Sequence, residues 1–99
     1  MERVVNFIRN SASIVEPVKN REIASALNIT EVEIRKLINK ARCKGIPICS
    51  TQKGYYYSED KNEIINTIQS LMHRTIAVEK AVNGLLSVVR FGLEAEENE

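Results

Sequence analysis

Long apolar runs are missing from this chain of 99 residues. No stretch of about 18 uncharged apolar residues occurs, so no membrane-spanning segment is expected. The most apolar region, 76–93, is interrupted by Glu79, Lys80 and Arg90. The opening MERVVNFIRN contains Glu2 and has no long apolar core, so it is not read as a signal peptide, and a cytoplasmic protein is expected. Metal ligands are scarce: Cys43, Cys49 and the sole histidine, His73, are too few for a zinc site and have the wrong spacing. Free thiols and no cofactor or metal follow as expectations. Also missing are paired carboxylates around a recognisable pocket, a nucleophile–base constellation and a glycine loop that could cradle phosphate. Catalysis is therefore not expected.

What is present has an ordinary make-up, 43% hydrophobic and 27% charged, which suits one compact domain with a long appended helix. Net charge is only +1, but its distribution is uneven. Residues 1–58 hold ten Lys/Arg against five acids, a formal +5, whereas residues 59–99 carry −4. A basic head and an acidic tail suit a nucleic-acid-binding head joined to a segment with another task.

The spacing of Val4, Phe7, Ile8 and Ser11 predicts a first helix over 2–11. Pro17 ends helical continuation, and Val18–Lys19 can add a short strand to a later hairpin. Asn20 reads as the N-cap of a second helix that buries Ile23, Ala24 and Leu27. In the turn that follows, Asn28 tolerates a left-handed backbone and Ile29 can plug the core. Thr30 and Glu33 form the T-x-x-E of a capping box, opening a third helix with Ile34, Leu37, Ile38 and Ala41 on one side. Gly45 stops it. Two β-prone runs, 46–50 and 54–58, joined by Thr51–Gln52–Lys53–Gly54, predict a hairpin, with Pro47 at an edge or a strand start.

With its apolar side inward, the third helix displays Val32, Arg35, Lys36, Asn39, Lys40 and Cys43. That mixture suits a DNA major groove: Arg reaches guanine O6 and N7, Asn pairs with adenine, and Val32 can touch a thymine methyl. Lys40, Arg42 and Lys44 are placed for phosphates, and Arg21 and Thr30 complete the expected DNA-binding set together with Lys53 at the hairpin tip. Glu31 and Glu33 stand at the helix start, where they cap it and offset its dipole, accept from a cytosine amino group, or repel DNA. Of the three tyrosines, either Tyr56, or Tyr55 with Tyr57, should pack on the third helix.

This order of elements is that of a winged helix-turn-helix. The segment 21–58 resembles the N-terminal winged-helix domain of bacterial biotin repressor–ligases and the broader winged-helix regulators similar to it. The resemblance is carried by REIASALNIT, by the third helix ending at Lys44–Gly45–Ile46, and by the Lys53–Gly54–Tyr55 wing. No ligase domain follows, so the biotin chemistry of that family is not carried over. Two glutamates at the start of the third helix depart from the pattern, and a heptad helix stands where a larger regulator has its effector domain. Small proteins of this layout also resemble accessory proteins of phages and mobile elements.

From Glu59 onward, Ile64, Ile68, Leu71, Thr75, Val78, Val82, Leu85 and Val89 alternate by four and three residues, a heptad pattern with one polar member. Ile65, Met72 and Leu86 widen the stripe, and Asn83–Gly84 weakens helix propensity within it. The expected organisation is a winged helix-turn-helix domain over 1–58, an oligomerisation helix over 59–93 and a disordered acidic tail over 94–99. The fold class is mainly α with a small β-hairpin and a long C-terminal amphipathic helix.

Two readings of function stay open. One is a sequence-specific, double-stranded DNA-binding protein. It acts as a homodimer or higher assembly through its last helix, in transcriptional control or in replication or excision of a mobile element. The other is a winged-helix adaptor that binds a protein partner and has little affinity for DNA.

Overall fold

In the computed structural model, which describes the backbone of residues 1–97 and the side chains of residues 1–91, the first helix buries Val4, Val5 and Ile8 along one side. This is α1 (Glu2–Ser11), followed by α2 (Asn20–Leu27), α3 (Glu31–Cys43), β1 (Ile48–Thr51), β2 (Gly54–Tyr57) and α4 (Lys61–Glu97). The fold is mainly helical with a two-stranded hairpin and a long C-terminal helix, the class that the periodicities imply. Two compact units divide it, Met1–Thr67 and the residues from Ile68 onward.

The core of the first unit gathers Val4, Val5 and Ile8 of α1, Val18, Ile23 of α2, Ile34, Ile38 and Ala41 of α3, and Ile48 of β1. Val5 joins α1's buried face in place of Ser11, which is exposed. Leu27, Ile29 and Leu37 pack against this core at partial burial. Asn28, at φ 56°, closes α2, and the amide of Ile29 donates back to the Ala24 carbonyl. A left-handed residue here satisfies an orphan carbonyl while turning the chain toward α3.

Asn20 does not cap α2. Lys19 occupies the N-cap position, and Asn20 is the first helical residue, its Nδ2 donating to the Glu31 carbonyl at 3.2 Å. The long-range bond wins because it joins the starts of α2 and α3, at the cost of leaving Asn20 Oδ1 buried without a partner.

Thr30 does cap α3, its Oγ1 accepting from the Glu33 amide at 3.2 Å. At the other end Gly45, at φ 85°, ends the helix. The Ile46 amide donates to the Ala41 carbonyl and the Gly45 amide to the Arg42 carbonyl, the paired bonds of a Schellman closure.

The hairpin pairs Ile48 with Tyr57, Cys49 with Tyr56, Ser50 with Tyr55 and Thr51 with Gly54. Its first strand starts at Ile48 rather than at residue 46, since Ile46 turns back to accept from the Ile48 amide and Pro47 has no amide to offer. Val18 bridges to Tyr55 on the far side through two bonds, 2.9 and 2.8 Å, so β2 is the central line of a minimal sheet. Alternation then sorts the tyrosines. Tyr55 and Tyr57 pack toward the helical core, while Tyr56 and Cys49 are buried on the opposite face.

Asp60 opens α4, its carboxylate accepting from the Glu63 amide at 3.0 Å. The compact first unit runs through Thr67, so it takes in the opening turns of α4 as well as the expected 1–58 head. The helix continues without a break across Asn83–Gly84 and on to Glu97. It thus takes in residues 94–97 of the expected acidic tail, where glutamate and alanine are good helix formers. Residues 98 and 99 of that expected tail lie outside the described residues.

Candidate nucleic-acid interface

At about 100° of rotation per residue, Ile34, Leu37, Ile38 and Ala41 occupy one side of α3, and Val32, Arg35, Lys36, Asn39, Lys40 and Cys43 fall within an arc of about 140° on the other. All six of the latter are exposed. Val32 is 57% exposed, an apolar side chain at the helix start with no core to fill. Five of the residues expected to touch DNA, namely Val32, Arg35, Lys36, Asn39 and Lys40, thus share one solvent-facing surface on a helix whose two ends are both fixed. Glu31 and Glu33, also exposed, lie at the two shoulders of that face rather than at its centre.

Thr30 stands at the N-terminal end of this surface. Its Oγ1 lone pair is engaged by Glu33, but its hydroxyl hydrogen can still be donated. Arg21 lies on α2 and is exposed. Lys53 lies at the hairpin tip, exposed beside Gln52, its amide donating to Thr51 Oγ1 at 3.0 Å. The tip depends on Gly54, where φ is 145° and a Cβ would stand 2.7 Å from the Val18 carbonyl carbon. No residue with a side chain fits there without moving the strand.

Arg42 departs from its expected place among the phosphate contacts. It is half-buried: Nε donates to the Ile48 carbonyl at 2.8 Å, Nη2 to Ser50 Oγ at 3.3 Å, and its guanidinium lies 5.8 Å from the Tyr55 ring centroid. The outer edge of β1 needs partners for its backbone, and Arg42 supplies one. The signal was present in the helix geometry: residue 42 falls outside the 140° arc, whereas residues 39, 40 and 43 fall within it. Arg9 stacks similarly, 4.1 Å over the Tyr57 ring.

Tyr56 is 3% exposed. Burial raises its phenol pKa above the ordinary 10.0, followed by the negative charge of Glu63, by Cys49 and by Asp60, with a Cys49 hydrogen bond adding to the effect. Cys49 is buried and Cys43 exposed, both as free thiols. Among the described residues no group of three or more His, Cys, Asp or Glu could hold a metal ion. Nor is any helix among them long and apolar enough to cross a membrane.

The seam residues of α4 divide at the unit boundary. Ile64 is half-buried within the first unit, and Thr67, one turn on, is buried there. Beyond it, Leu71 is half-buried and Ile68, Thr75, Val78, Val82, Leu85 and Val89 are exposed. Thr75 Oγ1 donates to the Leu71 carbonyl at 3.1 Å, so its hydroxyl is satisfied within its own helix.

Comparison of the chain with protein-family models, with curated proteins and with solved structures returns no match.

Proposed function

We propose that this chain is a sequence-specific, double-stranded DNA-binding protein. It acts as a dimer in transcriptional control, or in replication or excision of a mobile element, and works in the cytoplasm, where thiols such as Cys43 and Cys49 stay reduced. The observation that carries this reading is the exposed face of α3, where Arg35, Lys36, Asn39 and Lys40 sit together opposite the core. A helix of about 13 residues presenting two or three donors for base edges, with lysines along its length for phosphates, matches how such helices occupy a major groove. Lys53, exposed at a tip held in place by Gly54 and Val18, adds a contact of the kind a wing makes with the phosphate backbone or minor groove.

Glu31 and Glu33 favour a second reading, a winged-helix adaptor with a protein partner, because both are exposed beside the basic face and oppose phosphate approach. The test is retention of genomic DNA fragments by purified protein over a salt series with competitor DNA. A few fragments held at moderate salt support the DNA reading. Uniform release of all fragments favours the adaptor.

A further inference from the structure

Beyond Thr67, α4 carries large apolar side chains that are about half exposed or more, among them Ile68, Val78, Val82, Leu85 and Val89. The part of this segment whose side chains are described, 68–91, is about 36 Å long at 1.5 Å per residue. So long an apolar stripe is expected to be covered by another surface. In heptad terms the a positions are Ile68, Thr75, Val82 and Val89, all β-branched, and the d positions from residue 71 are Leu71, Val78 and Leu85. β-branched residues at a with leucine-rich d positions favour two parallel strands. Thr75 enters such a seam without leaving a polar group unsatisfied, because its hydroxyl is already bonded to Leu71.

The flanking charges select the partner. Across 68–91 the e positions are Met72, Glu79 and Leu86, and the g positions are Arg74, Ala81 and Val88. One acid and one base are therefore the only charges beside the seam. Neither meets an opposite charge three or four residues away in its own helix: Arg74 has Ser70, Leu71, Ala77 and Val78 there, and Glu79 has Thr75, Ile76, Val82 and Asn83. In a parallel, in-register pair each g position faces the e position five residues further along the partner, which sets Arg74 of one copy against Glu79 of the other, twice by symmetry. In an antiparallel pair g faces g and e faces e. Arg74 then meets Arg74, Ala81 or Val88, and Glu79 meets Met72, Glu79 or Leu86. No antiparallel register supplies an opposite charge.

We infer that α4, from Ile68 onward, pairs with the same helix of a second copy, parallel and in register, with reciprocal Arg74–Glu79 ion pairs setting the alignment. This rests on the dimeric part of the proposed function and adds orientation and register to it.

The test uses the full chain with Cys43→Ser as background. Leu71→Cys and Leu85→Cys, made separately, lie two heptads apart, about 21 Å along the helix. Both variants should form interchain disulfides on mild oxidation, since every layer of an in-register parallel pair meets its own copy. An antiparallel pair can do so only at the layer on its two-fold axis, so crosslinking at one position or neither overturns the orientation. Sedimentation equilibrium of the unoxidised protein should give a dimer; a monomer or a tetramer overturns the two-stranded pairing. Arg74→Glu and Glu79→Arg should each weaken dimerisation about tenfold, and the double reversal should restore it to within about threefold. Failure of the double reversal to restore the dimer removes the ion pair from the account. Fragment retention on the same protein is a separate readout, so loss of the DNA reading and loss of this pairing are told apart.

Discussion

The amide of Ser50 donates to Thr67 Oγ1 at 3.2 Å, tying the open edge of the hairpin to the second turn of α4. The same hydroxyl donates to the Glu63 carbonyl, and Thr67 is the one buried polar residue of the first unit's described side chains. With Arg42 on the Ile48 carbonyl, two side chains from two helices satisfy two of the outward-facing backbone groups of β1. A short exposed strand would otherwise offer those groups to another chain.

Thr67→Val keeps the shape of that side chain and removes the acceptor, leaving the Ser50 amide unpaired. Urea unfolding should show a loss of about 1–2 kcal/mol. Thr67→Ser, which keeps the hydroxyl, should lose less. Equal stability of the valine and wild-type proteins would remove this bond from the account of the fold.

Gly54 and Gly45 both have positive φ, but only Gly54 is crowded, with Val18 backbone against its missing Cβ and open space around Gly45. Gly45→Ala should cost about 1 kcal/mol, the usual penalty for a left-handed non-glycine residue. Gly54→Ala should cost clearly more, because the strand bridge to Val18 must open as well. Thermal melts of the two variants give the ranking, and the reverse order would contradict the packing described.

Arg42 and Arg35 separate stability from binding. Arg42→Ala should lower unfolding free energy by about 1–3 kcal/mol, as charged hydrogen bonds to the β1 edge are lost. Arg35→Ala should change it by no more than about 0.5 kcal/mol, since the residue is exposed. On the proposed function, Arg35→Ala should instead weaken binding to a retained fragment by about tenfold or more, and Lys53→Ala should reduce the salt slope by about one. Weak DNA binding before and after both changes would favour the adaptor.

Alkaline stability should depend on Tyr56. Its phenol pKa is raised in the folded state, chiefly by burial, so folding favours the protonated form. The resulting stability is fully present below the unfolded value of 10.0 and is lost as pH rises through the higher folded value. Urea midpoints measured from pH 9 to 11.5 should fall less steeply for Tyr56→Phe than for the wild type. Parallel curves would show that the ionisation of Tyr56 is not coupled to folding.

Much of the architecture was legible in the order of residues because it depends on neighbours close in sequence. Thr30 caps α3 through a residue three positions away, Asn28 and Gly45 end helices through their own φ angles, and Ile34, Ile38 and Ala41 face inward by helical period alone. The exposure of Arg35, Lys36, Asn39 and Lys40 followed from the same period. Tertiary contacts decided the rest. Asn20 gave up the cap for a bond to the Glu31 carbonyl 11 residues on, and Arg42 turned from the expected phosphates to the edge of β1. Tyr56, rather than its neighbours, became the tyrosine buried away from the helical core, because Val18 pairing with Tyr55 chose which face of β2 meets α1 and α3. Local periodicity assigns elements and their faces; which polar groups lack partners, and which distant side chain reaches them, is decided only when the elements pack.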